Sequence, residues 1–164
     1  MVFPRPTTSP ATKNPQEEPM PDIRHRVEVS APMERVFAAA STPEGISSWW
    51  TRDGVSGSGA AGGTLEFRFG SPDPAAVVEV TQLEPDRRVA WQCTDGPSDW
   101  VGTEITFDLA ENDDRTVVLF SHAGWSEPSE FMAHCSARWA YFLFSLKGLV
   151  ERGEGTPHPE DMRF

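Results

Sequence analysis

Between Pro128 and Arg152 the residues Phe131, Cys135, Trp139, Phe142, Leu146 and Leu149 recur at steps of four and three, the period of an α-helix with one apolar side. Met132, Leu143 and Val150 widen that side, so the helix must lie against a broad surface. Ser126 is a candidate N-cap with Pro128 in the first turn, and Gly153 suits a C-cap. Gly155, Pro157 and Pro159 prevent continuation. The spacing predicts one long helix over 128–152.

The partner surface is written earlier in the chain. Ile23, His25, Val27 and Val29 alternate with Arg24, Arg26 and Glu28, which reads as a half-buried strand. Ser30 is a candidate cap for a first short helix carrying Pro32, Val36 and Phe37, and Thr42 with Pro43 and Glu44 opens a second, ahead of Trp49 and Trp50. Residues 56–63 are rich in Gly and Ser and read as a mobile loop gating a pocket. Strand-like runs follow at 64–69, 75–83, 88–93, 101–109 and 116–122, the last two joined through Asn112-Asp113-Asp114. Strands joined by short turns form an antiparallel meander. The expected architecture is α+β: a curved six-stranded antiparallel sheet wrapped around one long C-terminal helix, with two short helices after the first strand. A sheet covered by so little helix must curl, and a curled sheet encloses space.

A chain of 164 residues supplies one such core. Its ten Phe and six Trp are large enough to fill one, since each ring removes about 150–250 Å² from water. Residues 1–21 are rich in Pro and poor in apolar side chains, a disordered composition, and Met20 offers a second start for translation. The domain is expected over 22–155, with a flexible acidic tail over 156–164. The net charge of −11 argues against nucleic acid and anionic membranes as partners. Without an apolar run of membrane-spanning length or a secretory signal, the reading is a cytoplasmic protein. Cys93 and Cys135 are expected as free thiols.

The order of these motifs resembles the START-like or SRPBCC superfamily, the helix-grip fold, and within it the family named after the activator of the heat-shock chaperone ATPase. The resemblance runs through Ala31-Pro32, Val36-Phe37, Thr42-Pro43-Glu44, Trp49-Trp50, Leu83-Glu84-Pro85 and Arg88-Val89-Ala90-Trp91. It continues through Thr116-Val117-Val118-Leu119, His122-Ala123-Gly124-Trp125, Trp139, Leu143, Leu146-Lys147 and Glu151-Arg152-Gly153. The family often has Gly before the helix Trp; here Arg138 stands there. The resemblance implies a cavity between sheet and long helix for a hydrophobic or amphipathic small molecule, with catalysis in some branches only.

The candidate ligand-binding residues are Trp49, Trp50, Phe67, Phe69, Trp91, Phe107, Phe120, His122, Trp139, Phe142 and Leu146. Each of the apolar ones also reads as ordinary core. His122 is the best single candidate for a polar contact. No metal is expected, because His25, His122, His134 and His158 show no zinc spacing with either cysteine, and no cofactor motif is present. The Gly-rich loop lacks the strand, helix and Lys of a phosphate cradle.

Three functions fit. The first is binding of a small hydrophobic molecule by a monomer or weak homodimer. The second is a cyclase or hydrolase acting on a hydrophobic, polyketide-like substrate, with His122 or an inward carboxylate as acid-base. The third, ranked below both, is a module that binds the chaperone ATPase.

Overall fold

The computed structural model describes residues 21–163; the expectations for 1–20, including the start at Met20, lie outside them. Seven strands form one antiparallel sheet: β1 (Ile23–Val29), β2 (Val55–Gly57), β3 (Thr64–Phe67), β4 (Ala76–Glu84), β5 (Arg88–Asp95), β6 (Glu104–Asn112) and β7 (Arg115–Ala123). They lie in the order β1-β7-β6-β5-β4-β3-β2. Helices α1 (Met33–Ser41) and α2 (Pro43–Trp49) follow β1, and α3 (Glu130–Arg152) closes the fold. The helix-grip arrangement expected from the sequence is therefore the one formed.

The sheet has seven strands where six were expected, because part of the Gly and Ser segment pairs as an edge strand. Gly57 has φ 107°, and a Cβ there would stand 2.0 Å from the carbonyl oxygen of Thr64. Only glycine lets β2 approach β3 so closely. The segment is also tied down: Ser58 N–H donates to Thr64, Gly62 N–H to Val80, and Val80 N–H back to Gly63. It is an anchored edge and not a gate.

Irregular pairing of β4 with β5, between Val77 and Val78 and between Val80 and Gln82, adds local bend and twist. The concave face carries Leu65, Phe67, Val78, Val80, Trp91, Ile105, Phe107, Val118 and Phe120, all buried. Glu66 and Arg68 face outward, paired at 2.9 Å, so the alternation resolves with the aromatic set inside.

Helix α3 begins later than Pro128. Ser129, in extended conformation, accepts from the Met132 N–H through its Oγ, and Gly153 ends the helix at φ 79°, the left-handed cap its position predicts. Cys135, Trp139, Phe142, Leu143, Leu146 and Val150 are buried, whereas Phe131 is 36% exposed. At the far end Lys147 Nζ donates to Glu28 O and to Glu151 Oε1, which also accepts from the Ser30 N–H. Those two bonds, Lys147 first, hold the Glu151 carboxyl below its ordinary pKa.

The C-terminal segment does not trail away. The Thr156 N–H donates to Ser145 Oγ, Ser145 Oγ donates to the Trp49 carbonyl, and Gly155 and Pro157 are buried. His158 N–H donates to Trp50 O and His158 O accepts from the Arg52 N–H, bridging Thr51 in parallel. Backbone bonding that only the folded α2 end can offer makes this segment part of the domain. Among the described residues no helix is long and apolar enough to cross a membrane.

Candidate functional site

The interior is an aromatic lattice. Trp50 stacks on Trp49 at 6.0 Å and on Trp91 at 6.3 Å, and tilts against Phe67 at 4.5 Å and Trp139 at 4.9 Å. Phe107 meets Trp49, Trp91 and Phe120 edge-on. Phe120 closes on Trp139 at 4.6 Å. Contacts of this kind contribute about 0.5–1.5 kcal/mol each beyond area burial. Trp49, Phe67, Trp91, Phe107, Phe120 and Leu146 thus fill the core.

His122 is sealed into the same lattice. It is wholly buried; its Nδ1 accepts from Trp139 Nε1–H at 3.1 Å, which places the ring proton on Nε2, 2.8 Å from Thr103 Oγ1. Thr103 Oγ1–H in turn donates to the Trp100 carbonyl. Burial pushes the imidazole pKa down to about 3, so the ring is neutral. Both nitrogens are engaged within the protein.

A cavity of about 160 Å³ remains at one end, between the first turns of α3 and the loops joining β3 to β4 and β5 to β6. Trp50, Phe69, Trp139 and Phe142 border it, together with Trp100, Phe131, His134, Cys135, Arg138, Ala75, Ala76 and Pro97. Its walls are mainly apolar. Burial raises the Cys135 thiol, while the Trp100 indole and the Arg138 charge pull it the other way. Among the described residues the Trp100 Nε1–H, packed beside this sulfur, has no oxygen or nitrogen partner. Cys93 and Cys135 are both free and buried. Among the described residues no group of three or more His, Cys, Asp or Glu is arranged to hold a metal ion.

A sequence profile described as "Activator of Hsp90 ATPase homolog 1-like protein" matches residues 30–151. The chain belongs to this family. Within the Activator of Hsp90 ATPase homolog 1-like family and its structural surroundings, the chain is similar to the Aha1 dimer of Colwellia psychrerythraea, at 41% identity and TM-score 0.75, covering 83% of this chain and 100% of that one. It is similar to CalU16 of Micromonospora echinospora, at 25% identity and TM-score 0.67, over 85% and 78%. DynU16, a protein of the dynemicin biosynthetic locus, shares the fold at 22% identity and TM-score 0.67, over 82% and 48%. Among curated proteins none matches.

Arg138 places a charge in the cavity wall. Its Cζ lies 5.3 Å from the Phe142 ring centroid, and its guanidinium is 3.6 Å from Asp161 of the C-terminal segment. Trp100 and Pro97 were not legible as site residues, whereas Arg138, like Tyr141, reads from sequence as able to reach a polar group of a ligand. Trp100 and Pro97 stand in a turn that precedes β6, between the runs 88–93 and 101–109 read as strands. Arg138 gave a usable signal, a charge flanked by Cys135, Trp139 and Phe142 on the buried face of a helix.

Proposed function

We propose that the cavity binds a small hydrophobic or amphipathic molecule. The single observation that carries the reading is an apolar, aromatic-walled cavity at the edge of a densely packed aromatic core. Ligand sites are typically lined this way, with few polar groups. At about 160 Å³ the space is below the ~300–1,000 Å³ of most ligand pockets. It is comparable to the ~150 Å³ cavity that takes a benzene ring. One ring enters; a fused polycycle does not. That size, and the sealing of His122, favour binding over the cyclase or hydrolase alternative.

The test is titration with toluene, indole and naphthalene, followed by the indole proton resonances of the tryptophans. One-ring probes should shift Trp50 and Trp139, and Ala75→Phe, which adds bulk at the exposed rim, should abolish the effect. A protein that takes up no apolar probe is not a binder of this kind.

A second reading concerns self-association. The Colwellia relative is described as a dimer, and Phe144 on α3 is 61% exposed. We infer that this chain pairs weakly with itself. Sedimentation that stays monomeric up to millimolar concentration excludes the pairing.

A further inference from the structure

Among the described residues two buried side-chain nitrogens, the indole Nε1 of Trp91 and that of Trp100, have no oxygen or nitrogen partner. A buried donor left unpaired is costly, and native proteins rarely keep one. The two indoles differ in position. Trp91 is wholly enclosed by the packed core, against Phe67, Phe107 and Trp50. Trp100 stands in the wall of the cavity, with Cys135 beside it.

The Trp100 ring is held in place. Its backbone N–H donates to Pro97 O, and its carbonyl accepts from both the N–H and the hydroxyl of Thr103. The ring stacks on Trp139 at 6.0 Å and meets His122 edge-on at 4.8 Å. The indole N–H therefore has little freedom to turn toward another acceptor. Beside it is the Cys135 sulfur, a weak acceptor on a side chain that turns about a single bond. Burial raises that thiol's pKa, so the sulfur stays protonated and does not become the strong acceptor a thiolate would be.

We propose that the ligand is a single aromatic ring carrying a neutral hydrogen-bond acceptor on a short arm, an aryl ketone or aldehyde, whose oxygen takes the N–H of Trp100 in place of the Cys135 sulfur. This deepens the reading of the cavity as a ligand site and rests on it. The ring lies among Trp50, Trp139 and Phe142, and the arm points to the turn between β5 and β6. A space of about 160 Å³ admits one ring with a small arm. An ionised arm fits less well, because it would leave water for mainly apolar walls. Arg138, the cation of that wall, already faces Asp161 and the Phe142 ring. A neutral carbonyl loses less on leaving water, and it pairs the donor that the fold leaves open.

Acetophenone and α-methylstyrene, which differ only in a carbonyl oxygen against a methylene, are titrated into the full chain. Both should bind. Only acetophenone should move the Trp100 indole proton resonance downfield, and its carbonyl stretch should fall below its value in an alkane. Trp100→Phe should weaken acetophenone about tenfold more than α-methylstyrene, the size expected when a buried acceptor loses its donor. Cys135→Ala should keep the downfield shift, because the sulfur is the group displaced and not the partner. The resonance is read on the natural chain, so it decides even where Trp100→Phe does not fold. An unmoved Trp100 resonance, an equal loss for the two compounds, or a shift that disappears with Cys135→Ala overturns the proposal, while binding of α-methylstyrene leaves the ligand site standing. Failure of both compounds to bind removes both readings.

Discussion

The indole N–H of Trp139 donates to Nδ1 of His122 at 3.1 Å, joining the middle of α3 to β7 across the deepest part of the core. The bond requires an unprotonated Nδ1, so protonating His122 breaks it. The neutral ring is the form the fold favours, with its pKa lowered from 6.5 to about 3. This contribution is whole above pH 6.5 and drains away as the pH falls toward 3. By linkage it is on the order of 4 kcal/mol. Denaturant unfolding between pH 7 and pH 3 should show that loss in the natural chain. His122→Asn should be less stable at pH 7 and flatter across the window; parallel curves for the two proteins contradict the assignment.

Ser145 is a second buried polar junction. Its hydroxyl donates to the Trp49 carbonyl at 2.8 Å and accepts from the Thr156 N–H at 2.7 Å. Ser145→Ala strands both backbone groups, and leaving a buried group unpaired costs about 1–3 kcal/mol. The expected outcome is a loss of that size in chemical unfolding, with proteolytic cleavage appearing after Gly153. Unchanged cleavage means the C-terminal segment is held by other contacts.

Gly155→Ala tests the same junction by crowding. A Cβ there would stand 2.4 Å from the Ser48 carbonyl oxygen and 3.0 Å from Ser145 Oγ, and the backbone of α2 cannot yield cheaply. Overpacking of this kind costs about 1–3 kcal/mol. Thermal unfolding should fall accordingly, and the backbone amide of His158, bonded to Trp50, should exchange with deuterium faster. Protection equal to that of the natural chain rejects the crowding argument.

Much of this fold was legible in the sequence because periodicity reports which side of an element is buried. The steps from Cys135 to Val150 and the alternation around Phe67 and Trp91 each identify a face without reference to any partner. Two features escaped for a common reason. Gly57 reads as loop because glycine lowers strand propensity, yet its missing side chain is what admits the seventh strand. The segment beyond Gly153 reads as tail because it is short, polar and rich in Pro, yet its anchors are backbone groups, which composition does not display. The site was half legible. Aromatic residues announce a pocket and a filled core alike, so Trp50 and Trp91 look the same in sequence; only packing separates the ring that borders space from the ring that fills it.

Phe142 offers the sharpest separation of these two roles, because it is 1% exposed and still borders the cavity. Phe142→Ala removes a buried ring, which costs about 3–5 kcal/mol where the surroundings cannot collapse. Collapse is opposed here by Trp139, held by its bond to His122, and by Trp50, packed on Trp91. The vacated volume should therefore join the existing cavity. Naphthalene, too large for the natural site, should bind the variant and restore part of the lost stability, because a ligand that binds only the folded state stabilises it by mass action. The check is thermal unfolding of both proteins with and without naphthalene. A variant destabilised by the expected amount that gains nothing from the two-ring probe shows that the lattice closes over the gap, and that the void beside Trp50 is not continuous with the position of this ring.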